Sequence, residues 1–381
     1  MCAGCGLCAS SSEEMVINSD GYLRPSNPIQ DRISKSCPSV NVQHFNTDAD
    51  YNKLWGPIIS CNTAFSTSET IRKKGSSGGV ITALATILLK KGLIDEIIQV
   101  GVDHQNPIRN KTYFVTSVEE LIANSGSRYC PSSPLSDIRQ VLNNGKKYAV
   151  IGKPCDISAL RSLVVKNPEY KEQFPYLLSF MCAGIPSEHA TKKLLEKLNV
   201  KEENLISFQY RGDGWPGLTR AKTTNNKEFT MTYNESWGKV LNRHLQPRCK
   251  VCADGIGEAA DIVCGDAWYN SENGYPTFEE KNGRSLTIAR TMIGQKLLDE
   301  AVQSNALKVE SYNVDNLDAI QPFQKNRKQT AAIRKLALLV LGGGVPKFIG
   351  YKLYSNMLGS GFNNLIRTFA GTVLRKLKGR I

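Results

Sequence analysis

The sequence predicts an α/β chain of mixed α+β character, with a largely parallel sheet, flanking helices, an antiparallel insertion and a small cysteine-rich N-terminal segment. Three observations predict it. Apolar runs of strand length alternate with helical periodicity between residues 78 and 200, which implies crossover connections and parallel strands. Beyond Leu205 the apolar pattern shortens to a period of two, which suits antiparallel pairing. Before residue 60 the chain is rich in Ser, Asn, Asp and Pro, and carries four of its eleven cysteines.

The elements follow in order. "GGVITALATILLKKG" has helical apolar spacing and stops at Gly92; "IDEIIQVGVD" then reads as a strand. "SVEELIANSG" is a short helix, and "SDIRQVLNNG" another ended by Gly145. "KKYAVIG" is a short buried strand, "DISALRSLVVKN" a helix and "PYLLSFMC" a strand. "PSEHATKKLLEKLN" is a helix with Pro186 at its start, because proline suits a first turn whose N–H groups have no partner. "LISFQY", "LTRAKTT" and "KEFTMTY" supply the antiparallel insertion.

At 381 residues, 41% hydrophobic and 22% charged, the chain can bury a sizeable core. There is no signal-peptide pattern at the N-terminus and no apolar run of spanning length, so the expected location is cytoplasmic, with the inner membrane face as a possible site of peripheral contact. In that compartment eleven cysteines point to metal or redox chemistry rather than disulfides. The net charge of +13 is concentrated at one end. From Ala319 to Ile381 there are twelve Lys and Arg and no Asp or Glu, which leaves the first 318 residues near neutrality. A near-neutral body argues against nucleic acid as a partner.

"CAGCGLC" places Cys2, Cys5 and Cys8 at the two-residue spacing of a ferredoxin-like iron–sulfur loop. Ser10, Ser11 and Ser12 stand where such a loop would soon close, and the next cysteine is Cys37, followed by Pro38. Cys37 is therefore the candidate fourth ligand, supplied after a long insertion. Cys155 and Cys182 each follow a predicted parallel strand, on the edge where open α/β sheets bind ligands. "QPRCKVC" adds Cys249 and Cys252, which completes a second set of four. A lone C-x-x-C is equally a zinc half-site, and Cys155 and Cys182 taken singly are also consistent with buried small hydrophobes. Cys61, Cys130 and Cys264 remain as buried thiols, and no side chain qualifies as a catalytic acid or base.

"RKKGSSGGVITAL" sets Gly75, Ser76, Ser77, Gly78 and Gly79 before a helix, with Arg72, Lys73 and Lys74 upstream. Small residues admit a phosphate, a helix N-terminus offers N–H groups, and basic side chains offset its charge. It is neither a Walker loop nor a G-x-G-x-x-G turn after a strand, and a capped helix after a plain loop is the competing reading. Beside two candidate clusters the fitting ligand is FAD, because a flavin converts electron pairs to single electrons.

These motifs, with "GSRYCPSSPLSDIR", "IGKPCDISALR", "MCAGIPS", "YRGDGWPG" and "PRCKVCADGIGEAADIVCGDAW", resemble the coenzyme F420 hydrogenase/dehydrogenase beta-subunit family, which includes 7-hydroxymethyl chlorophyll a reductase. The resemblance covers most of residues 1–270. It implies an oxidoreductase with FAD at the glycine-rich turn and two 4Fe–4S clusters on the cysteines. The redox donor it implies is reduced coenzyme F420 or ferredoxin, with an unidentified small-molecule substrate. Surface-polysaccharide metabolism is one setting in which such relatives occur. Lys153 and Asp156 flank Cys155 where the family commonly has Thr and Gln, and Ala183 follows Cys182 where His is common; Lys153 is thus expected to line the cofactor site. An electron-relay subunit of a larger complex and a zinc-stabilised protein without redox activity are the alternatives.

Three segments are expected: 1–60 holding the first cluster, 61–318 the α/β domain for flavin and second cluster, and 319–381 a basic extension. In that extension Phe362, Leu365, Ile366, Phe369, Val373 and Leu377 recur at helical spacing. Such a basic amphipathic helix can cover the chain's own core, dock on a partner subunit or lie on an anionic membrane.

Overall fold

The computed structural model describes residues 1–9, 14–27, 34–45, 49–270, 276–379 and 381. Ser10, Ser11, Ser12 and Arg380 lie outside these residues. The main sheet has eight strands: β1 (Ser60–Ser66), β2 (Glu96–Val102), β3 (Asn110–Val115), β4 (Tyr148–Gly152), β5 (Tyr176–Phe180), β9 (Ile262–Asp266), β10 (Ser285–Ala289) and β11 (Leu307–Ser311). Between β5 and β9 in sequence, β6 (Leu205–Gln209), β7 (Thr219–Thr223) and β8 (Glu228–Met231) form a separate antiparallel sheet of three, the expected insertion.

The spatial order is β11-β1-β10-β9-β5-β4-β2-β3. Its centre, β9-β5-β4-β2, is parallel, as the strand–helix alternation predicted. Both flanks are antiparallel, so the sheet is mixed. β3 turns back on β2 as a hairpin, whereas β10 and β11 pair with β1, more than two hundred residues earlier in the chain. Because β10 runs against both β1 and β9, β1 points the same way as β9, β5 and β4. The carboxyl ends of all four strands therefore share one edge.

Alternate residues of the strands feed two cores, as the period of two requires. Ile97, Ala149 and Leu178 pack with Leu84, Ile87 and Leu88 of α2 (Val80–Lys90) and Leu297 and Leu298 of α5 (Met292–Gln303). Ile98, Tyr148, Val150 and Leu177 pack on the other face with Ile157, Leu160 and Leu163 of α3 (Pro154–Lys166). The result is a three-layer α/β/α sandwich. Cys5 and Leu7 join the second core, so the N-terminal loop shares the interior of the sheet domain.

Two helical expectations are adjusted at their ends. "SDIRQVLNNG" forms a single turn, Ile138–Val141, with the chain leaving the helix at Leu142 (φ −58°, ψ 133°). In α4 (Glu188–Lys197) the N-cap is Ser187, whose hydroxyl accepts the Ala190 N–H, and Pro186 lies just outside. The C-terminal stretch folds as α6 (Pro322–Gln329), α7 (Ala331–Val340), α8 (Leu353–Met357) and α9 (Phe362–Leu377). A short strand, Lys347–Ile349, pairs in parallel with Asn41–Gln43 and so brings the two ends of the chain together.

Candidate functional site

The N-terminal loop winds tightly because Gly4 and Gly6 adopt φ of +76° and +89°. A side chain at residue 6 would lie 2.7 Å from the Ser136 nitrogen, so only glycine lets the loop reach the body. The loop is held by Leu135 N–H donating to the Cys5 carbonyl at 3.0 Å and by Ser133 Oγ donating to the Gly4 carbonyl at 2.9 Å. Cys37 is brought to the same place, because Ser39 Oγ accepts the Ala3 N–H at 3.1 Å. Burial pushes the Cys8 thiol up to about 11, and the neighbouring Cys37 and Cys2 add to the rise. Burial likewise raises Cys5 well above its ordinary value, with Asp156, Cys37 and Cys2 acting in the same direction. Cys2, Cys5, Cys8 and Cys37 thus share one neighbourhood.

The second group forms at the sheet edge. β4 ends at Gly152 and runs through Lys153 and Pro154 to Cys155 in the first turn of α3. β5, its neighbour, ends at Phe180 and runs to Cys182. The turn Pro247–Lys250 presents Cys249, with Cys252 just beyond. Cys155, Cys182, Cys249 and Cys252 line a single small cavity together with Gly184, Ile185, Arg248 and Arg327. Burial raises the Cys182 thiol to about 12, reinforced by Cys249. Gly184, at φ +123°, makes room for this approach, since a side chain there would lie 2.8 Å from Leu245 and 3.2 Å from the Cys249 Cβ.

The donor chemistry of both groups fits an iron–sulfur cluster. Clustered buried thiols stay protonated at neutral pH unless a cationic centre replaces their protons. Hydrogen bonds to sulfur are already present: Ile185 N–H and Gln246 Nε2 each lie 3.4 Å from Cys249 Sγ, and Gly4 N–H lies 3.3 Å from Cys2 Sγ. Such bonds stabilise thiolate ligands and tune a cluster's potential. Among the described residues no group of three or more His, Cys, Asp or Glu is already gathered closely enough to hold a metal ion, so a cluster would draw the thiols together on binding.

The two groups are neighbours, joined by three side chains. Gln246 Nε2 donates to the Ala3 carbonyl at 3.2 Å as well as to Cys249 Sγ. Arg248 lines the second cavity while its Nη2 donates to the Pro38 carbonyl at 3.1 Å, one residue past Cys37. Lys153 is 3% exposed and lies 2.7 Å from Asp156 Oδ2, with its Nζ also donating to Ser132. Burial works against its charge, but Asp156, Cys155 and Cys5 outweigh that and raise its pKa. Lys153 is therefore a fixed cation between Cys5 of one group and Cys155 of the other.

On the same edge β1 leads through α1 (Glu69–Lys74) into the glycine-rich turn, which enters α2 through Gly79 at φ +73°. Much of its hydrogen bonding is spent on the protein. Ser76 Oγ donates to the Arg211 carbonyl at 3.3 Å and accepts the Ser127 N–H; Ser77 Oγ donates to the Arg284 carbonyl at 2.9 Å; Gly78 N–H donates to Ser285 Oγ at 2.8 Å. Gly78 has no room for a side chain, whose Cβ would lie 2.5 Å from the Ala64 oxygen. What remains for a ligand is the start of α2, which has no side-chain cap, and the exposed Lys73 and Lys74. Arg72 is turned aside, stacked 3.7 Å from the Phe65 ring centroid with its Nε donating to Gly283. A polar cleft of about 420 Å³, lined by Lys73, Asp213, Arg220 and Glu228 among others, opens beside Lys73.

Sequence reasoning missed the wall beside this turn. Asp266, the last residue of β9, takes both Nη groups of buried Arg211 at 2.8 and 2.7 Å and the Trp215 indole N–H at 2.7 Å. Trp215 and Trp268 stack at 4.9 Å, and the Arg211 guanidinium lies 5.1 Å from both Trp268 and Tyr233. "YRGDGWPG" and "GDAW" carried these residues visibly, but nothing in either stretch says that they meet. Arg327 and Gln324 gave no signal at all; Gln324 Nε2 donates to the Cys182 carbonyl at 3.2 Å and Arg327 to the Ala183 carbonyl.

Comparison with known proteins adds to this geometry. A family profile for the N-terminal part of the coenzyme F420 hydrogenase/dehydrogenase beta subunit matches residues 61–139, and the profile for its C-terminal part matches residues 145–315. The F420-dependent formate dehydrogenase 1 subunit beta of Methanococcus maripaludis is 28% identical over 254 residues, covering 65% of this chain and 60% of the relative's own length. The coenzyme F420 hydrogenase subunit beta of Methanosarcina barkeri is 25% identical over 288 residues, covering 74% of this chain and 88% of the relative. A chain in the solved F420-reducing [NiFe] hydrogenase complex of Methanosarcina barkeri shares the fold, with a TM-score of 0.59 at 22% identity over 78% of this chain and 98% of that one.

Proposed function

The chain belongs to the coenzyme F420 hydrogenase/dehydrogenase beta-subunit family, and from that premise we propose that it is an iron–sulfur flavoprotein oxidoreductase that relays electrons. The observation that carries the reading is the pair of four-cysteine groups bridged by the single side chain of Gln246. Cys2, Cys5, Cys8 and Cys37 would hold one 4Fe–4S cluster, and Cys155, Cys182, Cys249 and Cys252 the other. FAD would take its pyrophosphate to the start of α2 beside Lys73 and Lys74, where uncapped N–H groups and positive charge favour an anion. When bound, the clusters carry single electrons and the flavin exchanges them for pairs.

The protein's own part is positioning and charge. Gln246 and Ile185 donate to Cys249 Sγ and so fix where that sulfur lies. Lys153, held by Asp156 and Ser132, offsets negative charge between the two cysteine groups. Arg248 and Arg327 do the same for Cys252, whose thiol they pull down against the rise caused by burial. The stacked Trp215 and Trp268, keyed by the Arg211–Asp266 pair, offer a rigid apolar wall near the turn.

Relatives whose names specify F420 make reduced coenzyme F420 the first donor to test, with ferredoxin second. A partner subunit on the cluster-bearing side would complete a relay. Anaerobic purification tests the reading. Brown protein with extractable FAD and about eight irons per chain is the expected result. Colourless protein carrying zinc and no flavin would overturn it in favour of a non-redox zinc protein.

A further inference from the structure

The C-terminal surface has a composition that the redox reading does not use. Among the described residues, twelve large hydrophobic side chains are at least 50% exposed, and ten of them lie between Phe323 and Leu377. Four exceed 70%: Tyr354 at 74%, Leu358 at 84%, Phe362 at 75% and Leu377 at 72%. Scattered single apolar residues are ordinary on a protein surface, but a concentration of this kind marks a contact.

α9 shows how the surface arises. At 100° per residue its apolar arc divides in two. Leu365, Phe369, Thr372 and Val373 lie along one side, buried or half-buried, where the helix packs on α7. Ile366, Leu374 and Leu377 lie along the adjoining side and are exposed, and Phe362, in the first turn, is exposed although it falls on the same side as Phe369 and Val373. The chain itself therefore covers only part of the helix's apolar face and leaves the rest open. Arg367 and Lys378 border the exposed stripe, and Leu336, Leu339 and Val340 extend exposed apolar surface onto α7.

Charge selects the occupant. Residues 319–381 carry twelve Lys and Arg without one carboxylate side chain; Lys325, Arg327, Lys328 and Arg334 are engaged within the protein, while Lys347, Lys352, Arg367 and Lys378 stand exposed. Tyr354, Leu358, Phe362 and Leu377, each more than 70% exposed, stand clear of their neighbours. Protruding aromatic and aliphatic residues bordered by long cations suit insertion among the headgroups of an anionic bilayer. No helix among the described residues is long and apolar enough to cross a membrane, so the contact is one of lying on the surface. The segment lies beyond the family match, which ends at residue 315.

We propose that α8, α9 and the exposed face of α7 dock the protein on an anionic lipid surface, with Tyr354, Leu358, Phe362, Ile366 and Leu377 entering the headgroup layer and Arg367 and Lys378 meeting lipid phosphates.

Flotation of the full chain with phosphatidylcholine vesicles, with and without phosphatidylglycerol, tests this. Binding to the anionic vesicles is expected to exceed binding to neutral ones by about tenfold or more, and to weaken in about 0.5 M salt. The triple variant F362E/I366E/L377E replaces only exposed side chains, so it should keep the parent's iron content while losing vesicle binding about tenfold. No flotation with anionic vesicles would overturn the proposal, as would equal binding to both vesicle types or retained binding by the variant. A salt-resistant dimer by light scattering that the same variant dissolves would assign the surface to a second copy of the chain and overturn it equally.

Discussion

Gln246 is the residue on which the site turns, because one amide group touches a carbonyl of the first cysteine loop and a sulfur of the second group. Around it, burial makes the thiols of Cys5, Cys8, Cys155, Cys182 and Cys252 expensive to ionise, and Arg248, Arg327 and Lys153 supply the opposite charge. Cys37 is the ligand whose assignment can be tested most directly. Its charge reaches Cys5 and Cys8, although twenty-eight residues separate it from Cys8 in sequence. Cys37→Ser should lower iron by about four per chain and leave the second cluster's absorbance in place; unchanged iron content would remove Cys37 from the ligand set. Gly78 gives a second test, independent of metal. Its backbone angles are ordinary, so the demand is for space against Ala64 and Ser285. Gly78→Ala is expected to cost at least about 2 kcal/mol in urea unfolding, because the obstructing atoms are backbone and cannot swing aside.

At the level of elements, the working edge is made by four strands that end together. β4 and β5 deliver Cys155 and Cys182, β1 delivers the glycine-rich turn, and β9 delivers Asp266. α4 is fixed beside this edge through its first turn, where Glu188 accepts two hydrogen bonds from Arg109 at 2.7 and 3.2 Å. Burial would push the Glu188 carboxyl up, yet the Arg109 hydrogen bonds and charge outweigh it and hold the group below its ordinary range. The sign of the pH effect follows. The pair's contribution is complete above the unfolded glutamate value of about 4.3 and is lost as pH falls through the lower folded value. The stability gap between the parent and Arg109→Ala, followed by urea titration, should therefore close between about pH 5 and pH 3. A gap independent of pH would show that Arg109 acts through packing.

Across the molecule as a whole, the C-terminal stretch divides into two parts. Gln321 and Gln324 donate to the Asp266 and Cys182 carbonyls, buried Lys328 pairs with buried Glu258, and Tyr351 Oη donates to Asp254 at 3.1 Å. This part roofs the second cysteine cavity. α9 rests on α7 with half its arc uncovered. Removal of residues 361–381 should leave iron content and unfolding midpoint close to those of the full chain. Removal of 319–381 strips Arg327 and Gln324 from the cavity and leaves Glu258 and Asp254 without those partners. It should cost about four irons per chain or abolish soluble expression. Equal iron in both truncated forms would show that the roof is dispensable.

Features with a local signal were legible in the amino-acid order alone. Apolar periodicity marked the three central strands β2, β4 and β5, with α2, α3 and α4. Two-residue spacing marked the cysteine loop, and composition marked the basic end of the chain. Features that depend on meetings between distant residues took shape only in the folded chain. The antiparallel pairing of β10 and β11 with β1, the return of Cys37 to the N-terminal loop and the Gln246 bridge are of this kind. So are the Arg211–Asp266–Trp215 assembly and the roof formed by α6. Local propensity is a property of neighbouring residues and is written in their order. Contacts across two hundred residues are set by shared burial and by the charges that burial leaves to be paired, and these exist only once the sheet has brought its strand ends to one edge.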